Sequence, residues 1–441
     1  MKTRPIIAAG AGISRHGLTP EVQQAVEEAE VLAGGARLLA RFARGSVLTV
    51  PLSAPLDPAL ERIAELWRQG LRVTVLADGD PLCFGMGETL LRRLPEDAAQ
   101  AVRFIPGVSV MQEAAARIGR SWRDIPAISL HGRDDLFPLF AALTRYGSAF
   151  VYTDAINTPA FLASAIAQRG GEDFRLRVFE NLGQETERLS ALRLSEAAGR
   201  QFSPLNLVLA ERAARPAVPP CLGLPDTMLS REDGVFTKAP VRAAVLSALG
   251  LGGALAGLRK EAPVFWDCGA GTGAVSLEAA AIDPGARIFA LEARKDRFSH
   301  LEENIRRTGL LTVDPVPGFM PLSYAALPDP DRIFFGGGLS GLNSGPEILD
   351  QGWERLRPGG VLAAACSLLD TLERSRAFLE PRAAAFSITL LSAAASVPLA
   401  GSLRFEAENP IFIVRAVKPG PLPAEEDSGR DQKRSGQARE L

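Results

Sequence analysis

Four prolines within ten positions, Pro216, Pro219, Pro220 and Pro225, constrain this chain more than any other feature. Proline fixes φ and carries no N–H donor, so a segment this rich in it is neither helix nor central strand. It divides 441 residues into halves of nearly equal length. Each half is long enough for its own core. We therefore read 1–213 as one domain, 214–226 as a proline-rich linker and 227–420 as a second domain. The last stretch, 421–441, has acids and bases in near balance but no aromatic or β-branched residue. Such a segment buries too little surface to offset its ordering entropy, so a disordered tail is expected.

Composition excludes several classes. The chain is 46% hydrophobic and 23% charged, which suits packed globular cores. Its formal charge of −2 gives no sequence-wide basic field for nucleic acid. Cys83, Cys221, Cys268 and Cys366 stand far apart with no Cys-x-x-Cys pair, and His16, His131 and His300 are equally scattered. This spacing excludes a disulfide framework and argues against a metal site. The longest uncharged apolar stretch, 243–258, is interrupted by four glycines. It falls short of the ~20 residues a bilayer span needs. Lys2 and Arg4 precede Ile6 and Ile7 as in a faint leader, yet the run passes directly into a Gly-x-Gly turn and reads as a first strand. A cytoplasmic protein is expected, without membrane or nucleic-acid partners. Arginine far outnumbers lysine. That fits either a polycarboxylate ligand or codon bias, and composition does not separate the two.

Both halves alternate strand-like and helix-like segments, the pattern of α/β layers. In the first, 5–9, 71–77, 125–130, 149–153 and 206–210 read as strands. Residues 19–33 read as a helix with Thr19 as N-cap and Pro20 in the first turn, and a second helix follows Ser109 through Gly119. In the second, 241–251 and 274–281 read as helices, and 263–266, 287–291, 331–335 and 361–365 as strands. No internal repeat relates the halves.

The most specific chemistry lies at Asp267-Cys268-Gly269-Ala270-Gly271-Thr272-Gly273, between a strand and a helix. Glycines there let the backbone turn tightly and let a ligand approach, and the helix start adds free N–H groups. Glu292 ends the next strand recognised, where a carboxylate accepts both hydroxyls of a ribose. Two cofactors fit. Gly269-x-Gly271-x-x-Ala274 satisfies a relaxed dinucleotide pattern and a reductase. The acid before the loop favours S-adenosylmethionine, because an anion is unwelcome beside a pyrophosphate. Within the methyltransferase class an RNA substrate is the alternative, against which the neutral charge counts. Arg357-Pro358-Gly359-Gly360 before a strand and the triple glycine 336–338 accord with methyl transfer. Cys268 reads as a small residue buried beneath the loop. Lys238 and Arg242, at one helix start, read either as solvated charges or as contacts to substrate carboxylates.

Further motifs carry a resemblance. Gly79-Asp80-Pro81 after a strand, with Gly10-Ala11-Gly12, Leu18-Thr19-Pro20-Glu21, Ile105-Pro106-Gly107-Val108-Ser109, Ser129-Leu130-His131-Gly132-Arg133 and Leu205-Asn206, resembles the tetrapyrrole methylases. The second half, with Thr237 to Arg242, the Asp267 loop and Asn409-Pro410-Ile411-Phe412, resembles the decarboxylating methyltransferases that accompany them in cobalamin biosynthesis. The match runs over about 5–418. In the first loop Ile13-Ser14 stands where the family usually has Pro-Gly.

The resemblance implies a tetrapyrrole-methylase fold of two α/β subdomains, followed by a Rossmann-like seven-stranded class I methyltransferase domain. It implies one S-adenosylmethionine site per domain, with precorrin-6B, a polycarboxylate tetrapyrrole, as substrate. The first half would methylate C5. The second would methylate C15 and remove the ring C acetate carboxyl, giving precorrin-8X. Donor-binding positions would be Gly79, Asp80, Pro81, Ser109 and Val110 in the first half. In the second they would be Thr237, Gly269, Ala270, Gly271, Thr272, Gly273, Glu292 and Met320. His131 and Arg133 would meet substrate, His131 as a proton-moving residue or as a structural one. Assembly into a homo-oligomer through the C-terminal half is also implied.

Overall fold

The computed structural model describes residues 4–13, 18–213, 218, 222–230, 237–251, 262–341 and 344–420. The tail 421–441, most of the expected linker, Ser14, His16, Cys221 and residues 252–258 of the apolar stretch lie outside the described residues. The chain forms two compact units, Met1–Gln168 with Glu172–Arg215, and Arg169–Gly171 with Pro216–Leu441.

In the first unit β1 (Ile6–Gly10), β2 (Val31–Gly34), β3 (Leu48–Pro51), β4 (Val73–Ala77) and β5 (Val102–Ile105) form an all-parallel sheet in the order β3-β2-β4-β1-β5. Both its faces are buried. Ile6, Ala8, Val73 and Val75 pack on one side, and Ala9, Leu32, Leu76 and Ile105 on the other. That is why β4 is apolar except for Thr74, whose buried hydroxyl donates to Ala25 O at 2.8 Å. A second sheet holds β6 (Ala127–Ser129), β7 (Ser148–Tyr152), β8 (Phe174–Glu180), β9 (Arg188–Arg193) and β10 (Asn206–Arg212), in the order β6-β7-β10-β8-β9. Only β6 and β7 are parallel there.

The expected helix over 19–33 needs correction. Thr19 caps a helix at Pro20–Glu27, accepting from Val22 N, but the chain then enters β2. Val31 to Ala33 are fully buried between β3 and β4. Helical propensity in the acidic stretch before Val31 yields to burial in a central strand, where a β-branched residue packs well.

The second unit contains β11 (Val264–Cys268), β12 (Arg287–Glu292), β13 (Val313–Pro317), β14 (Arg332–Phe335), β15 (Val361–Cys366), β16 (Ala385–Leu391), β17 (Ala394–Leu399), β18 (Ser402–Ala407) and β19 (Ile411–Val417). Seven of them form one sheet, β13-β12-β11-β14-β15-β19-β16, parallel except for β19. β17 and β18 pair separately as a hairpin. Sequence reading missed β13, so the triple glycine does not follow the strand directly after the acid-tipped one. Pro315 and Pro317 lie within β13, which is tolerable because β13 is an edge. No helix among the described residues is long and apolar enough to cross a membrane.

Candidate active sites

Strand alternation places the acids of the second unit. Along β11, Val264, Trp266 and Cys268 face one core and Phe265 faces the other. Asp267 therefore points to the Phe265 side, where the helix Ala274–Ile282 packs. On β12, Ile288 and Ala290 share that side, and Glu292 follows two residues on. Asp267 lies level with Ala290, so the two carboxyls are diagonal neighbours on adjacent strands.

Each acid holds a different part of the turn. Glu292 Oε2 accepts from Gly271 N at 2.8 Å, and Oε1 accepts from Arg294 N at 2.8 Å. Asp267 Oδ2 accepts from Ser276 N at 3.0 Å and Ser276 Oγ at 2.6 Å. Its Oδ1 and Thr272 Oγ1 are buried without partners. Gly269, Gly271 and Gly273 all have positive φ, and a Cβ on Gly269 would lie 2.9 Å from Gly337 N. The triple glycine thus lets the loops after β11 and β14 touch. Around Gly271 there is open space. Open backbone, a helix start and an orphaned buried carboxylate oxygen fit a small ligand with a cationic end.

Burial, with Glu292 nearby, pushes the Asp267 carboxyl up to about 7. Because this lies above its ordinary 3.8, the carboxyl contributes stability below that pH, and the contribution is lost as pH rises to about 7. The melting temperature of the ligand-free chain should accordingly fall across that window. Asp267→Asn should flatten the fall in differential scanning calorimetry, and an unchanged pH profile would show that Asp267 is not its source.

Met320 reaches across the carboxyl edge. Gly318 N donates to Glu292 O at 3.2 Å, and a Cβ on Gly338 would lie 2.8 Å from Met320 Cε. The segment after β13 therefore crosses β12 and β11 to the triple glycine. Thr237 contributes its carbonyl, which accepts from Arg242 Nη1 at 2.7 Å.

Neither reading of Arg242 survives. Its side chain is fully buried, paired with Glu278 at 2.8 Å and Asp226 at 2.6 Å. Lys238 pairs with Glu408 at 2.8 Å. Cys268 is buried, and burial raises its thiol, as expected of a packing residue. Sequence reasoning missed Asn304, a fully buried amide. Its Oδ1 accepts from Ser230 N at 2.6 Å and its Nδ2 donates to Thr272 O at 2.9 Å. A lone asparagine in a charged helix gave no sign of this.

In the first unit the Gly-Asp-Pro turn follows β4. Gly79 has φ 66° and bridges to Gly12 of the first loop. A Cβ on Gly107 would lie 2.3 Å from Gly79 O, and one on Gly10 2.5 Å from it, so three loops meet as bare backbone. Asp80 fixes them, its Oδ1 accepting from Leu82 N at 2.8 Å and its Oδ2 from Gly107 N at 3.1 Å. Pro81 is buried behind the turn. Ser109 caps the helix Val110–Arg117 in a reciprocal capping box with Gln112. Val110 is half-buried at its start.

The Ser129 to Arg133 segment approaches through Tyr152, since Leu130 N donates to Tyr152 O at 2.9 Å. Asp154 accepts from Gly132 N at 2.7 Å, and Asn157 Nδ2 donates to Leu130 O and Arg133 O. Desolvation is the largest single influence on the Asp154 carboxyl and raises it, but the backbone N–H groups of Asn157, Gly132 and Ile156 together hold it below the usual range. His131 is exposed, and no hydrogen bond joins it to 79–81 or 109–110.

Residues 5–198 match the family model of tetrapyrrole (corrin/porphyrin) methylases, and 229–418 that of the precorrin methyltransferase domain. A precorrin-6Y C(5,15)-methyltransferase (decarboxylating) of Sinorhizobium sp is 32% identical over 353 residues, which is 79% of this chain and 81% of the relative. The chain belongs to the precorrin-6Y C5,15-methyltransferase (decarboxylating) family. Two Salmonella typhimurium proteins each match a smaller share of this family member. Cobalt-precorrin-7 C(5)-methyltransferase is 34% identical over 41% of this chain and 86% of its own length. Cobalt-precorrin-6B C(15)-methyltransferase (decarboxylating) is 30% identical over 44% of this chain and 94% of its own. Methyltransferases of this family use S-adenosylmethionine.

Proposed function

We propose that this chain is a bifunctional cytoplasmic enzyme with one S-adenosylmethionine site in each unit. Its substrate is precorrin-6B, and the first unit methylates C5. The second methylates C15 and removes the ring C acetate carboxyl, giving precorrin-8X. One observation carries this reading: each unit ends its parallel strands in a glycine turn tied by its own carboxylate, Asp80 in one and Glu292 in the other.

When bound, the donor supplies an electrophilic methyl group and a neutral thioether leaving group. The protein's part is to align and to exclude water, at a carbon-to-methyl approach of about 3–3.5 Å. In the second unit the Gly269 to Gly273 loop, with Ala270 and Thr272, cradles the methionine end. The orphaned Asp267 oxygen would accept from its ammonium, Glu292 would hold the ribose, and Thr237 and Met320 would flank it. In the first unit Gly79, Asp80, Pro81, Ser109 and Val110 line the donor. The electron pair released with carbon dioxide passes into the conjugated ring and is quenched by a proton. Exposed His131 and Arg133 stand beside the Tyr152 strand end for substrate contact.

A homo-oligomer built through the second unit accords with this reading. The β17–β18 register sets Phe405 opposite Ser396 and Leu403 opposite Pro398 on one face, with Phe405 77% and Leu403 66% exposed. Covering such a face with a second copy removes apolar surface from water.

Calorimetry with S-adenosylhomocysteine should show two sites per chain, and anaerobic incubation with precorrin-6B and labelled donor should yield two methyl groups and one carbon dioxide. Binding of NADPH in place of S-adenosylhomocysteine would replace this reading with a reductase. Sedimentation equilibrium on the same sample reads the assembly, and a monomer would remove that part.

A further inference from the structure

Phe84, in the turn after β4 of the first sheet, touches Tyr152 at the end of β7 in the second. Its φ is 53°, in the left-handed region that bulky side chains avoid. The surrounding turn enforces this. Gly87 N donates to Pro81 O at 2.7 Å, Cys83 N donates to Asp80 O at 3.3 Å, and a Cβ on Gly85 would lie 2.6 Å from Asp80 O. The strained backbone holds an aromatic ring that is 50% exposed. A ring kept half in water at a backbone cost is poorly explained by packing alone.

That ring rests at a tilt on Tyr152, the two planes meeting at 48°. Phe84 packs on Tyr152 with centroids 4.9 Å apart, and Cys83 Sγ lies 3.7 Å from Tyr152 Oη. Tyr152 is the end of β7, beside Ser129 on β6 and hydrogen-bonded to Leu130. The pair thus joins the Gly79-Asp80-Pro81 turn to the segment carrying His131 and Arg133. Leu82 and Val108, in the same two loops, are 57% and 50% exposed. Apolar surface here is continuous in sequence with both donor loops, whereas charged groups for a macrocycle's carboxylates stand at Arg133.

We propose that the exposed face of Phe84 is the platform on which the flat tetrapyrrole ring stacks for C5 methylation. Leu82 and Val108 extend that platform, and Tyr152 supports Phe84 from behind. The inference rests on the function proposed above and names the residues that orient its substrate in the first unit. The ring would lie flat beside the donor turn, with its carboxylates outward, so the reacting carbon is presented by stacking rather than by hydrogen bonds.

Phe84→Asn tests this, because asparagine accepts the left-handed backbone but offers no ring. In the full-length enzyme, KM for the tetrapyrrole in C5 methylation should rise roughly tenfold, the scale of one lost stacking contact. Binding of S-adenosylhomocysteine and methylation at C15 should stay as in the parent. Phe84→Tyr should restore the parent KM. A parent-like KM in Phe84→Asn would overturn the proposal, as would weakened S-adenosylhomocysteine binding to the first unit, which would place Phe84 in the donor pocket. Loss of both methylations in the parent enzyme would instead remove the function on which the proposal rests.

Discussion

Glu292→Ala should abolish most turnover in the second unit while leaving C5 methylation untouched. Both carboxylate oxygens are engaged by backbone N–H groups, Gly271 on one side and Arg294 on the other, at 2.8 Å each. The side chain is 7% exposed, so no solvent replaces it. Alanine would leave two N–H groups without their acceptor, free the glycine turn and remove the ribose contact. Hydrogen bonds to a charged group contribute about 1.5–3 kcal/mol, so kcat/KM for C15 methylation should fall roughly a hundredfold. Glu292→Gln keeps one acceptor oxygen and should fall between alanine and the parent. Carbon dioxide release should fall with C15 methylation, and the C5 product provides the control in the same tube. Parent-like decarboxylation in Glu292→Ala would refute the assignment of this site.

The second large effect is on stability. Arg242 and Glu278 are both fully buried, with Nε to Oε2 at 2.8 Å. Glu278 also accepts from Gly223 N at 2.6 Å and Leu224 N at 3.1 Å. Arg242 donates to Leu224 O and Thr237 O as well. This network fixes the 222–226 segment to the helices Ala239–Leu249 and Ala274–Ile282. Removing Glu278 leaves the buried Arg242 charge to the partly exposed Asp226 alone and the Gly223 and Leu224 N–H groups without an acceptor, so Glu278→Ala should cost on the order of 3–5 kcal/mol. Urea unfolding monitored by tryptophan fluorescence would measure it. The double variant Arg242→Met with Glu278→Leu should recover much of the loss, because it buries no lone charge. A cost below about 1 kcal/mol for the single variant would mean the pair is solvated in solution.

The sequence alone determined the α/β character of both halves, most strands around the sites, and the loop chemistry. Glycines at 79, 269, 271 and 273 and acids at 80, 267 and 292 carry local signals, since turn geometry and strand ends are written in neighbouring residues. Tertiary structure decided what those signals leave open. β2 displaced a helix because its burial between two strands outweighs local propensity. β13 tolerates Pro315 and Pro317 only because it is an edge, which sheet order alone establishes. Arg242 became a buried strut, Asn304 a brace for Thr272, and Phe84 a partner of Tyr152, through contacts that include Arg242 to Glu278, 36 residues apart, and Asn304 to Thr272, 32 apart. Such pairings have no period or spacing along the chain. They exist only where folding brings distant side chains within hydrogen-bond or van der Waals reach.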